Sequence, residues 1–265
     1  PYAKRGGFGG TLLSSSGLMH LTGWPDQSPR EPGYVYTDFI APKFALLSLL
    51  AALDFRRRTG KGQHLDVSQL ETVPFYQSPL TLEHQVNGRD SVRQGNRSNY
   101  AAPHGVYRCQ GKHRYIAITV FSDDEWQKFC QVIVQQALAQ DPEFSTVLNR
   151  IKNVDKVDKL VEDWTMLHPT EEVMKLMQEA GIAAGIVQNG QDLDNDPQLK
   201  DYYWEIDHNE LGVLPYRGTP IKSSEFNYEV KASPRLGEHN DYIYTEVLGI
   251  TDIEFAELLE QGVFE

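Results

Sequence analysis

What the chain has little of narrows its class first. Among 265 residues only Cys109 and Cys130 are cysteine, which is no disulfide framework; one bridge is open to them, but the count fits a reduced protein better. Basic charge is also short. Against 37 Asp and Glu stand 25 Lys and Arg, a formal net charge of −12, and such a surface repels phosphate backbones and anionic lipid. Nucleic acid is thereby excluded as a partner, and an anionic ligand would need a local basic patch. No apolar run is long enough to span a bilayer and no secretory leader opens the sequence, so a cytoplasmic location with no membrane span is expected. Internal repeats and low-complexity tracts are absent. His104, His113, His168, His208 and His239 have no metal-ligand spacing among them, so no metal site is expected. The Gly- and Ser-rich opening has no lysine at the Walker spacing, and Ser14 to Ser16 lacks the strand–elbow–helix context of a serine hydrolase.

What is present describes a globular chain. A hydrophobic share of 40% and an aromatic share of 11% can fill one large domain or two smaller ones. The organising stretch is 33–68. Tyr34 to Tyr36 is β-prone, and Thr37 or Asp38 can cap the helix that follows. Pro42 falls near the first turns, where a lost N–H matters least. From Phe44 to Leu53 apolar residues occupy every face, which predicts a buried helix. Arg56, Arg57 and Arg58 complement its negative end, Gly60 can stop it, and Gln63 to Ser68 alternates as a strand does. Together these predict a β-α-β unit in a parallel sheet, with Asp38 beyond the carboxyl end of the first strand, where ligands bind in such sheets. By spacing alone Asp38 reads more readily as a helix cap than as a site residue.

The rest of the chain reads in blocks. Residues 1–30 look like a loop. Ser68 to Val86 is a helix interrupted by Pro74 and Pro79, and Arg89 to Ala102 is a polar connection. A hairpin follows, His104 to Cys109 with His113 to Phe121, and Ser122-Asp-Asp-Glu125 is a capping box that opens an amphipathic helix. Helices over Val154–Thr165 and Glu171–Ala180, a short strand over Ile182–Val187, a strand-rich return from Tyr202 and a last helix over about 252–261 complete the pattern. The domains expected are 1–94, part of a large α/β domain; 95–204, a small α+β domain with its preceding glycine loop; and 205–265, a return segment packed on the large domain.

The ordered set Ser16-Gly-Leu-Met19, Thr22-Gly-Trp-Pro-Asp26, Gly33, Asp38, Arg57-Arg-Thr-Gly-Lys-Gly-Gln63, Asp66-Val-Ser68, Gly95-Asn96, Ala102-Pro-His-Gly105, Asp196-Pro-Gln198 and Leu236-Gly-Glu-His239 resembles the class III CoA-transferases, the CaiB–BaiF or formyl-CoA transferase-like family. The resemblance covers about the last two thirds of a family chain, with Pro1-Tyr-Ala3 similar to a turn in the middle of the family fold. It implies an α/β fold: a partial Rossmann-like parallel-sheet large domain lacking its N-terminal half, plus a smaller α+β domain. It implies further that Asp38 is a nucleophile which opens an acyl-CoA to a mixed anhydride and then carries CoA as an aspartyl thioester. Gly95, Asn96 and Tyr36 are implied as substrate or CoA contacts. The partners implied are an acyl-CoA and a carboxylic acid, with coenzyme A thioester as substrate and no separate cofactor. An interlocked homodimer, or an N-terminal chain that completes the fold, is implied as well. Two alternatives accompany this reading. In α-methylacyl-CoA racemases of the same fold a histidine precedes the Ser-Gly-Leu segment, whereas Arg5-Gly-Gly-Phe-Gly9 places Phe8 there, a side chain that carries no proton. The other alternative is a non-catalytic or half-enzyme chain that needs a partner.

Overall fold

The computed structural model describes residues 6–208 and 211–264. The turn expected at Pro1-Tyr-Ala3, and Arg5, lie outside the described residues. Two compact units divide the chain, Pro1–Val187 and Gln188–Glu265.

The opening is helical where the composition predicts a loop. Helix α1 runs Gly9–Ser15 and α2 runs Leu18–Leu21. Thr11 turns its hydroxyl back on Phe8, accepting from the Phe8 N–H at 2.9 Å and donating to its carbonyl at 2.8 Å, which closes the first turn. Leu13 is fully buried. Glycine is required at position 9 by proximity, since a Cβ there would stand 2.1 Å from Val35 Cγ1. The glycines thus mark close packing against the next segment.

Helix α3 spans Tyr36–Thr59 and stops at Gly60, whose φ of 73° is left-handed and whose N–H reaches the Arg56 carbonyl at 2.8 Å. Val35, not Thr37 or Asp38, holds the N-cap position, so Asp38 lies inside the first turn. Pro42 lies beyond that turn. A helix leaves only its first four N–H groups free, so this proline removes the donor that would have met the Asp38 carbonyl.

Two expectations about this region are corrected. The helix is not buried by the described residues: Leu46, Leu47 and Leu50 are 58%, 68% and 55% exposed, and Thr37 alone is buried. Helices α1 and α4 (Thr72–Tyr76) pack on it, and they cover too little of a helix that is apolar all round. Nor is there a β-α-β unit or a Rossmann-like parallel sheet among the described residues. Neither 34–36 nor 63–68 pairs with another strand, and every strand pairing is antiparallel. Alternation gives a segment the propensity to be a strand, but the strand exists only when a neighbour satisfies its backbone.

The proline-interrupted helix breaks at Gln77 into α4 and α5 (Ser78–Asn87), which ends on Gly88 with φ 64°. The hairpin is β1 (His104–Arg108) and β2 (Tyr115–Thr119), in the register His104 opposite Thr119 and Arg108 opposite Tyr115. Next, α6 (Asp123–Val132) opens on the expected box, the Glu125 N–H reaching Ser122 Oγ at 3.1 Å. A short helix α7 (Val147–Lys152), α8 (Val154–Thr165) and α9 (Thr170–Glu179) follow, and β3 (Ala183–Ile186) adds to β2 antiparallel. Between sheet and helices lies the core, with Ile116, Ile118, Trp126, Phe129, Val157, Val161, Val173 and Met177 all at zero exposure. Arg150 of α7 is buried among them. Its Nε donates to the Ala102 carbonyl at 2.7 Å and its two terminal nitrogens to those of Phe144 at 2.9 Å and Ser122 at 3.2 Å, while Asp123 pairs with it at 3.0 Å. Cys109 and Cys130 are both buried and free.

The second unit holds α10 (Gly190–Asp194), a hairpin of β4 (Tyr203–His208) with β5 (Gly212–Arg217), a π-helical turn over Tyr242–Val247 and α11 (Asp252–Glu260). Trp204 stands opposite Tyr216 in the hairpin.

Candidate active site

Asp38 sits in the first turn of α3 and lines an open cavity of about 710 Å³. Phe8 and Leu12 close one side of it, Ala41, Pro42 and Ala45 continue the helix wall, and Val67 and Gln69 come in from the segment after α3. The walls are mostly apolar, and among the described residues the carboxylate is the one charged group that lines the cavity. Polarity is supplied by the helix itself. Aligned peptide dipoles place roughly half a positive charge at its N-terminus.

The carboxylate is held asymmetrically. Thr37, buried beneath it, donates from Oγ1 to Asp38 Oδ1 at 3.2 Å, and the side-chain amide of Gln69 donates to the same oxygen through Nε2. Both of these donors fall on Oδ1, and no donor to Oδ2 is found among the described residues. One oxygen is therefore anchored by two donors, and the other has none among the described residues. Gln69 is fixed from behind, since Thr72 Oγ1 donates to its backbone carbonyl at 2.8 Å.

The other implied site residues lie elsewhere. Tyr36 begins α3, is 44% exposed and lines no cavity with Asp38. Gly95 has φ 60° and packs so tightly on Trp24 that a Cβ would meet the indole at 2.3 Å; its N–H donates to the Gly23 carbonyl at 2.9 Å. The Asn96 carbonyl bonds the His104 ring at Nδ1. Asn96 lines a second cavity, of about 420 Å³, with Trp24, Arg97, His104, Tyr107 and Asp158. There Tyr107 donates to Asp158 at 2.9 Å and Arg97 pairs with the same carboxylate at 3.5 Å. Burial raises the Asp158 carboxyl above its usual range, with the Tyr107 hydrogen bond and Arg97 pulling it back. The residues implied by resemblance are thus split between two places.

Gln69 was not visible in the sequence. It is 31 positions from Asp38, in the stretch read as a proline-interrupted helix, so its pairing is a property of the fold alone.

The site is thus a carboxylate in the first turn of a helix, in a mostly apolar cavity, with one oxygen held by two donors. The chain belongs to CoA-transferase family III, whose family model matches residues 1–240. It is 29% identical to a succinyl-CoA–D-citramalate CoA-transferase of Chloroflexus aurantiacus, the match covering 99% of this chain and 66% of the relative. It is also 28% identical to a formyl-CoA:oxalate CoA-transferase of Streptomyces coelicolor, over 99% of this chain and 68% of that protein. The chain therefore spans about two thirds of the length of these relatives. A crystal structure of a CAIB/BAIF family protein from Brucella suis superposes with a TM-score of 0.81 at 28% identity, covering 93% of this chain and 64% of the other.

Proposed function

We propose that this chain carries the covalent centre of a CoA-transferase, moving CoA from an acyl-CoA to a free carboxylic acid through Asp38. The observation that carries the reading is the Asp38 carboxylate itself, in the first turn of α3, held at Oδ1 by Thr37 and Gln69 and lining a cavity of about 710 Å³. In this reading Oδ2 attacks the thioester carbonyl and CoA thiolate leaves, giving a mixed anhydride. The thiolate then attacks Cγ of Asp38, the Cγ–Oδ2 bond breaks, and the donor acid departs with that oxygen. The acceptor carboxylate next attacks the aspartyl thioester at Cγ and expels the thiolate. Attack of the thiolate on the acceptor's carbonyl finally makes the new acyl-CoA and frees the Asp38 carboxylate. Each step exchanges one acyl partner, so a hard exchange is split into easier ones.

Relatives of this chain carry names for succinyl-CoA and formyl-CoA transfer, which supports a short acyl-CoA and a small carboxylic acid as the substrate class. The reading assigns Tyr36, Gly95 and Asn96 to substrate contact and not to the covalent steps, since none of them lines the Asp38 cavity. It also disfavours the racemase alternative, because Phe8 lies in that cavity and has no proton to exchange. The exposed leucines of α3 support a further element: a second surface, from a mate copy or a completing polypeptide, covers this helix in the working assembly.

The experiment is incubation with an acyl-CoA followed by hydroxylamine and peptide mass mapping. A hydroxamate on Asp38 in the native chain, lost with all exchange in Asp38→Ala at unchanged melting temperature, is the expected result. Full exchange in Asp38→Ala sinks the reading.

A further inference from the structure

The second and third covalent steps are attacks on Cγ of Asp38, and both leave Oδ1 in place. Oδ2 is the bridging oxygen of the anhydride and leaves with the donor acid. Oδ1 is the carbonyl oxygen of the anhydride and of the thioester, and it bears the negative charge whenever Cγ becomes tetrahedral. The two donors found on Asp38, the Gln69 amide and the Thr37 hydroxyl, both point at that same oxygen.

We propose that Gln69 is a catalytic residue, the oxyanion donor for the steps in which the aspartyl carbonyl is attacked. The proposal rests on Asp38 being the nucleophile. Three observations support the assignment to Gln69. Its residue lines the same cavity as Asp38, and its amide reaches the carboxyl group directly. It is uncharged, so it favours Oδ1 as carboxylate, as carbonyl and as oxyanion without neutralising the nucleophile, as a lysine there would. And its backbone is fixed by Thr72, a nearly fully buried residue, so the donor is oriented before the charge develops. In the attack on the thioester the acceptor oxygen forms a bond to Cγ, the C=O pair moves onto Oδ1 and the Gln69 N–H receives it. Collapse then returns the pair and releases CoA thiolate. No proton is transferred to or from Gln69.

The test charges the protein with an acyl-CoA, then mixes it rapidly with an acceptor carboxylate and follows the Asp38–CoA adduct by intact mass. Removal of a single oxyanion donor slows such steps by about 10²-fold. Gln69→Leu, of similar size and without a donor, should reach the adduct more slowly and, once charged, discharge it about 10²-fold more slowly than the native protein. Gln69→Glu keeps the shape but cannot donate while ionised. Its discharge should be slow near neutral pH and recover as the pH is lowered through the range in which that carboxyl gains a proton, whereas the native protein shows no such recovery. A melting curve for each variant separates loss of donor from loss of fold. Discharge of Gln69→Leu at the native rate, or a flat pH profile for Gln69→Glu, overturns the proposal. Absence of any adduct on Asp38 in the native protein overturns the nucleophile reading instead, and the proposal with it.

Discussion

The ring of Phe8 and the carboxylate of Asp38 line one cavity. A proton-relay enzyme would need a second titratable side chain at such a place, and a phenyl ring has none. Incubation with a 2-methylacyl-CoA in deuterated water should therefore leave the α-carbon without deuterium beyond the uncatalysed background, read by proton NMR or mass. Catalysed wash-in at that carbon would restore the isomerase alternative.

Gly95 is constrained twice, by its φ of 60° and by Trp24 at 2.3 Å from where a Cβ would be. Gly95→Ala should cost about 2–3 kcal/mol in urea unfolding, part backbone strain and part overlap with the indole. Adding Trp24→Ala removes the overlap and leaves the strain. The double variant should then be less destabilised than the sum of the single ones, by about 1 kcal/mol. Strict additivity would mean that the contact carries no energy.

Arg150 is a fully buried cation that satisfies the carbonyls of Ala102, Phe144 and Ser122 and pairs with Asp123, its guanidinium 5.1 Å from the Trp126 ring centre. Arg150→Met leaves those oxygens without a donor and Asp123 without its cation, a loss of about 3–5 kcal/mol. Arg150→Lys should rescue little, because one ammonium cannot reach carbonyls that a planar fork spans. Chemical denaturation of the two variants checks both statements.

Burial pushes the thiols of Cys109 and Cys130 up from 9.0 to about 11. In the unfolded chain they ionise at their ordinary value, so between about 9 and 11 the unfolded state holds fewer protons than the folded one. Stability from these groups is full below that window and falls as pH rises through it. Tyr107, also raised by burial and by Asp158, extends the decline to higher pH. A urea midpoint that drops through this window, less steeply in Cys109→Ala, is expected; a midpoint independent of pH up to 11 would contradict it.

Leu47 is 68% exposed on α3. If that face is covered by a second surface in the assembly, Leu47→Glu should leave the melting temperature of the isolated chain within a degree or two, since a surface change rarely exceeds about 0.5 kcal/mol. It should also shift light-scattering mass to smaller species. An unchanged mass would leave the face without a partner.

What could be read from the sequence was local chemistry. The Ser122–Glu125 box, the Gly60 stop, the break near Pro79 and the bounds of Val154–Thr165 are set by neighbours a few residues apart, and the structure keeps them. Asp38 was legible as an acid at a helix start, which the structure places in the first turn of α3. Three things were not legible. The helix at Gly9–Ser15 was hidden because glycines that permit close packing on Val35 look the same, in a sequence, as glycines of a loop. The expected parallel sheet failed at 34–36 and 63–68 because alternation encodes a propensity and not a partner. The Gln69 amide met Asp38 across 31 positions, and Arg150 entered the core through carbonyls of three separate segments, contacts that no periodicity announces.

The leucines that α3 shows to solvent have a consequence beyond packing. Chaperones and proteases distinguish finished from unfinished chains chiefly by exposed apolar surface, and Leu46, Leu47, Leu49 and Leu50, all about half exposed or more, present one continuously. To that surveillance the chain resembles an intermediate however well its core at Trp126 and Phe129 is made. If a second surface does cover the helix, the chain's lifetime in a cell depends on how soon that surface arrives, a matter of concentration and encounter, as well as on the free energy of its own fold.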